Sequence, residues 1–218
     1  MYRAAGYQAA MHALLRGHAT FRREYAAGAK EFLTRLASEH QSPDALYVGC
    51  ADSRVVPELL TSSSPGDLFV VRNIANAVPP QRHADASVGA ALEYAIAHLH
   101  VEHIIICGHY GCGGIKAVLD GHEKLRAHPS LYEWLDGIAP AIEASRLEML
   151  DPEEQWRLSV EANVVQQLAN LTTFEVVRER LDAEKLSLHG WVYDLHSGGV
   201  TVYDSVGERF VDAERSQQ

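Results

Sequence analysis

Apolar residues recur at helical spacing through the first part of the chain, at Tyr7, Met11, Leu14 and Leu15 and then at Phe32, Leu33 and Leu36. The pattern covers residues 4–38 and is broken near Gly17 and Gly28, which predicts two or three helices ahead of the core. Beyond that the period changes. Continuous apolar runs of strand length appear at Ala45-Leu46-Tyr47-Val48-Gly49-Cys50, Leu68-Phe69-Val70-Val71 and His103-Ile104-Ile105-Ile106-Cys107, the last rich in β-branched residues. Between the second and third, the stretch from Ala90 to Leu99 is built of good helix formers. Strand, helix and strand in alternation predict an α/β fold with a central, mostly parallel β-sheet, flanked by helices and buried on both faces. A long helical stretch over residues 151–181 opens on the start signal Asp151-Pro152-Glu153-Glu154. Leu186 to Tyr193 and Val200 to Tyr203 read as strands around Ser197-Gly198-Gly199, a terminal hairpin.

No repeat, low-complexity tract or linker divides the 218 residues. The chain reads as a single domain over 1–218, with an N-terminal helical arm over 1–38 and an α/β core over 39–218. A net charge of −10 without any Lys/Arg run argues against a nucleic-acid partner. No apolar stretch approaches the ~20 residues of a membrane span, so no membrane partner is expected. The three cysteines cannot pair fully, and two of them sit in ligand-like positions, which suits a reducing, cytoplasmic setting. The third, Cys107, lies inside an apolar run, where an inert buried thiol is expected.

Two short clusters fall at the C-terminal ends of predicted strands, the edge where open parallel sheets bind ligands. They are Cys50-Ala51-Asp52-Ser53-Arg54 and His109-Tyr110-Gly111-Cys112. Alone, either would be an ordinary coincidence. Jointly, Cys50, His109 and Cys112 supply two thiolates and an imidazole, a three-ligand zinc set that leaves one tetrahedral position open. A chain still extended after Cys50 would bring Cys50, Asp52 and Arg54 onto one face. Gly111 allows a tight turn that lets His109 and Cys112 converge, and Gly113 and Gly114 allow close backbone approach. Asp52 can accept a hydrogen bond at the open position or fill that position as a conditional fourth ligand. A bidentate bond from Arg54 would hold it off the metal.

These residues resemble the β-class carbonic anhydrases. Cys50-Ala51-Asp52-Ser53-Arg54, Val71-Arg72-Asn73-Ile74-Ala75-Asn76 and Ile106-Cys107-Gly108-His109-Tyr110-Gly111-Cys112-Gly113-Gly114 follow that family's signature segments in order. The resemblance implies reversible hydration of CO2 to bicarbonate and a proton by zinc-bound hydroxide, with one Zn2+ per chain held by Cys50, His109 and Cys112. Asp52 and Arg54 would form the dyad that governs the fourth position. Gln41, Phe69, Ile74 and Tyr94 match positions lining a narrow, largely apolar substrate cleft, and Gly113 joins this substrate-binding set. Tyr94 and His98, four apart on a predicted helix, match positions assigned to proton transfer. The resemblance also implies a homodimer or higher homo-oligomer, with the N-terminal helical arm packing on a partner subunit.

A subclass of the family is switched off by bicarbonate in a second pocket built from tryptophan, arginine and tyrosine. Arg72 and Tyr193 match two of those positions, but Tyr47 stands at the third. The expectation is therefore an Asp52 paired with Arg54. Two other readings compete: a zinc hydrolase of a CO2 analogue (carbon disulfide or carbonyl sulfide), and a non-catalytic zinc scaffold. A scaffold would need only the metal ligands, not Asp52, Arg54 and Gln41 as well.

Overall fold

The structure is a computed structural model and describes residues 4–83, 85–146 and 150–214. The side chains of residues 4–8, including the predicted apolar position Tyr7, lie outside the described residues. The chain divides into two units, Met1–Gln41 and Ser42–Gln218.

The first unit is helical. Helix α1 (Ala4–Phe21) passes through Gly17 without a break, because one glycine costs a helix only about 1 kcal/mol. The interruption comes later, at a π-helical turn over Arg22–Ala26 and the residues up to α2 (Lys30–Ser38). Within this unit Met11, Leu14, Leu15 and Phe21 remain exposed.

The second unit is built on a six-stranded sheet: β1 (Ala45–Cys50), β2 (Leu68–Asn73), β3 (His103–His109), β4 (Ser187–Tyr193), β5 (Val200–Asp204) and β6 (Arg209–Asp212). The order is β2-β1-β3-β4-β5-β6. The first four strands run parallel and the last two pairings are antiparallel. All three apolar runs became strands, and β2 and β3 each extend two residues past their runs. The predicted terminal hairpin is β4–β5, and β6 adds a short edge strand that its polar sequence did not announce.

Strand alternation splits the core in two. Leu46, Val48, Ile104, Ile106 and Val192 face the helices in the main cluster, while Tyr47, Ile105 and Cys107 point to the opposite face. The helices are α3 (Pro57–Leu60), α4 (Ala86–Glu93), α5 (Gly113–Leu119), α6 (Pro129–Asp136), α7 (Ala139–Ala144), α8 (Pro152–Leu171) and α9 (Glu175–Asp182). The predicted long helix over 151–181 is therefore two. Thr172 and Thr173 turn their hydroxyls back to the carbonyls of Ala169 and Asn170, and Phe174 leaves the helical conformation. The start signal works as read: the Asp151 carboxylate accepts the amides of Glu153 and Glu154, and Pro152 occupies the first turn. Helix α8 lies close on β3, with Val164 Cγ2 only 2.8 Å from where a Cβ at Gly108 would sit. The helix predicted over 90–99 is the end of α4 plus a π-helical turn, Tyr94–His98.

Candidate functional site

Cys50 closes β1 and His109 closes β3, its parallel neighbour, so the topology alone brings the two clusters to one sheet edge. Past His109 the chain must turn back into α5, and Gly111 makes that turn at φ +75°, a left-handed conformation natural to glycine. The turn delivers Cys112 beside Cys50, with their sulfurs 3.9 Å apart. The ligand atoms of Cys50, His109 and Cys112 lie within 4.8 Å of one another, and all three residues are buried.

This donor set fits zinc. Two thiolates bonded to one tetrahedral ion at ~2.3 Å would have their sulfurs about 3.8 Å apart, close to the separation here. His109 Nδ1 donates to the carbonyl of Tyr110 at 3.1 Å, which fixes the tautomer that leaves Nε2 with a lone pair. That Nε2 is fully buried without a hydrogen-bond partner, as expected of a metal-ligating nitrogen. The thiols themselves are unevenly poised. The hydrogen bond between them pulls Cys50 down and pushes Cys112 up.

The chain after Cys50 is not extended as its spacing predicted. It bends at once: the Val55 amide donates to the Asp52 carbonyl, and the Arg54 amide donates to Asp52 Oδ1 at 3.0 Å. Local side-chain bonding of this kind makes aspartate a turn former. The turn still pairs Asp52 with Arg54. Arg54 Nε donates to Oδ1 at 2.9 Å and Nη2 to Oδ2 at 2.7 Å, a bidentate grip, while Nη2 also lies 3.3 Å from the Gly111 carbonyl. Asp52 Oδ2 sits 3.7 Å from His109 Nε2. The Arg54 hydrogen bonds hold the Asp52 carboxyl well below the usual carboxylate range.

Arg72 fastens this segment from β2, donating to the carbonyls of Cys50 at 3.0 Å and Asp52 at 2.6 Å. Tyr47 is wholly buried on the opposite sheet face, and burial pushes its phenol up. Burial likewise pushes the Cys107 thiol up to about 12, so this cysteine is inert.

Among the cleft residues, Ile74 touches the second cluster: its Cγ2 is 2.9 Å from where a Cβ at Gly114 would be. Gly114, rather than Gly113, is the glycine that close packing requires, because a Cβ at Gly113 would meet nothing within 4 Å. Phe69, Tyr94 and His98 form a row of rings, with centroids 5.9 Å and 5.4 Å apart. Gln41 belongs to the first unit. Ile74 is set by a feature that the sequence did not reveal. Ala75 and Asn76 are both left-handed, and Asn163, Gln167 and Asn170 of α8 hold the backbone from Ala75 to Val78 in place.

A buried Cys-His-Cys triad at the C-terminal edge of a parallel sheet, with an Arg-held aspartate beside it, has the make-up of a zinc-enzyme centre in an α/β protein. A family model described as carbonic anhydrase matches residues 45–200. A carbonic anhydrase of Pseudomonas aeruginosa is 40% identical over 92% of this chain and 91% of its own length. The solved structure of the β-carbonic anhydrase CcaA is 36% identical and superposes with a TM-score of 0.88, covering 93% of this chain and 98% of that one. The tetrameric β-carbonic anhydrases of Sordaria macrospora are 32% identical with a TM-score of 0.77, covering 88% of this chain and 96% of theirs. The chain belongs to the carbonic anhydrase family, in its β class.

Proposed function

We propose that this chain catalyses the family's reaction, reversible hydration of CO2 to bicarbonate and a proton, at one zinc ion per chain held by Cys50, His109 and Cys112. The observation that carries this reading is the triad itself, with its partnerless His109 Nε2 and Asp52 held beside it. When bound, zinc supplies Lewis acidity that brings the pKa of water near neutrality, giving a nucleophile for CO2.

The protein's own groups do the rest. Arg54 grips both oxygens of Asp52 and so keeps that carboxylate out of the ligand set. The ionised Asp52 would accept a hydrogen bond from the attacking O–H and so orient its lone pair toward the substrate carbon. Ile74, Phe69 and Tyr94 offer CO2, which has no charge to anchor, an apolar wall. Gly113 offers an open backbone position beside the triad. Tyr94 and His98, whose tilted rings lie 5.4 Å apart, relay the released proton toward solvent through the phenol and imidazole polar atoms.

The chain acts as a homo-oligomer, at least a dimer, in which the helical arm packs on a partner subunit. The exposed Met11, Leu14, Leu15 and Phe21 support this, as does the tetrameric state of the Sordaria enzymes. The reduced, ligand-bound use of cysteine supports a cytoplasmic setting, and among the described residues no helix is long and apolar enough to cross a membrane.

The test is stopped-flow CO2 hydration by metal-quantified protein from about pH 6.5 to 9, around the ~7 of zinc-activated water. The expected result is strong activity at one zinc per chain that persists near neutral pH. Fully zinc-loaded protein without activity would sink this reading. Turnover of carbonyl sulfide or carbon disulfide instead would then mark an analogue hydrolase, and no turnover at all a scaffold.

A further inference from the structure

We infer that Trp156, Arg157 and Glu161 of α8 are positioning residues that set the geometry of His109 and Cys112. The inference rests on the reading of the triad as a zinc centre. His109 ends β3, Cys112 lies on the turn that leaves the sheet, and Tyr110, between them, keeps one further backbone bond, from its amide to the Tyr193 carbonyl at 3.0 Å. A left-handed glycine follows at 111. Besides the Arg54 bond to the Gly111 carbonyl, the turn that carries Cys112 is fastened from outside.

Helix α8 supplies three fastenings. The Trp156 indole N–H donates to the Cys112 carbonyl at 3.0 Å, tying down the backbone of one ligand. The Tyr110 hydroxyl donates to Glu161 Oε1 at 2.6 Å, a short bond to a carboxylate. The Arg157 guanidinium lies over the same ring, 3.9 Å from its centroid. Residues 157 and 161 are one helical turn apart, so the ring is gripped both on its face and at its hydroxyl.

Tyr110 passes this order to the metal site through its own carbonyl, the acceptor for His109 Nδ1–H. Moving the ring moves that carbonyl, and with it the direction in which Nε2 points. The helix is itself anchored independently of these contacts, through Val160 and Val164 buried against β3 at Gly108. Loss of a fastening should therefore loosen the ligands while the fold stands.

The test measures zinc affinity by chelator competition and the absorption spectrum of the cobalt(II)-substituted protein, using the metals alone and full-length chain. Glu161→Ala and Trp156→Phe should each weaken zinc binding by roughly 10–100-fold and alter the cobalt bands. Glu161→Gln retains an acceptor for the Tyr110 hydroxyl and should recover most of the affinity. Leu168→Ala, on the same helix but packed toward β4 at Gly190, should lower Tm and leave both metal readouts unchanged. Unchanged affinity and spectrum in Glu161→Ala and Trp156→Phe would overturn the inference, as would an equal loss in Leu168→Ala. Wild-type protein that takes up no zinc would instead overturn the zinc reading beneath it.

Discussion

Asp52 and Arg54 are two residues apart and bonded through both carboxylate oxygens, at 2.9 and 2.7 Å, inside a turn that their own side chains stabilise. The pairing decides what the aspartate can do. A carboxylate with both oxygens engaged by a guanidinium keeps its charge, stays beside the metal site and is withheld from coordination.

Asp52→Asn keeps the shape and removes the charge that accepts a hydrogen bond from the attacking O–H. CO2 hydration should fall by about 10²–10⁴-fold, the usual contribution of a positioned acid–base group. Zinc content, measured by atomic emission on the same samples, should stay at the wild-type level. Activity within a few-fold of wild type would remove Asp52 from the mechanism.

Cys112→Ala takes away one of three protein ligands from a buried site. The purified variant should carry little zinc and show no hydration above background, and added zinc should not restore it. Full zinc occupancy in this variant would mean that the triad is not the metal site.

His189 lies 3.2 Å from His103 on the neighbouring strand, and burial first, then His103, lowers its pKa. For a base whose folded value is depressed, the unfolded chain takes up the proton first as pH falls. The stability it contributes is thus present above the unfolded value of about 6.5 and lost as pH falls through the folded one. Urea midpoints should drop between pH 7 and pH 5, and drop less in His189→Asn. Parallel pH curves for the two proteins would count against this assignment.

Gln167 is fully buried, accepts the Val78 amide at 2.8 Å and donates to Asn163 at 2.9 Å. Gln167→Ala leaves buried donors and acceptors without partners, at a cost of about 1–3 kcal/mol for each such group. Urea unfolding should show that loss. The same variant should raise KM for CO2 more than it lowers kcat, because the loosened turn carries Ile74.

Deleting residues 1–38 removes the exposed apolar positions of the helical unit. Light scattering should find the truncated chain in a smaller assembly than the full-length protein. An unchanged mass would place the subunit contacts elsewhere.

The strands, and the convergence of Cys50, His109 and Cys112, could be read from the sequence because their signals are local. A continuous apolar run such as Ala45 to Cys50 is buried on both faces whatever surrounds it, and thiolates beside an imidazole carry their chemistry in their atoms. Helices α5, α6 and α7 were not foreseen, because pieces of six to eight residues hold too little periodicity to separate from loop. The spacing of Cys50, Asp52 and Arg54 predicts extended backbone, but the hydrogen bonds of the turn at Asp52 outweigh the tendency of a strand to continue.

The chain order thus determined by itself which residues meet at one sheet edge: parallel neighbours β1 and β3 end on Cys50 and His109, and their donor atoms suit zinc. Only the tertiary structure decided how those residues are held. Tyr110 meets Glu161, Cys112 meets Trp156, and Ala75 meets Asn163, across separations of 44 to 88 residues. No periodicity or motif encodes such pairings. They arise because α8 packs closely on β3 at Gly108, and close packing leaves each buried polar group only the partners that the fold puts within reach.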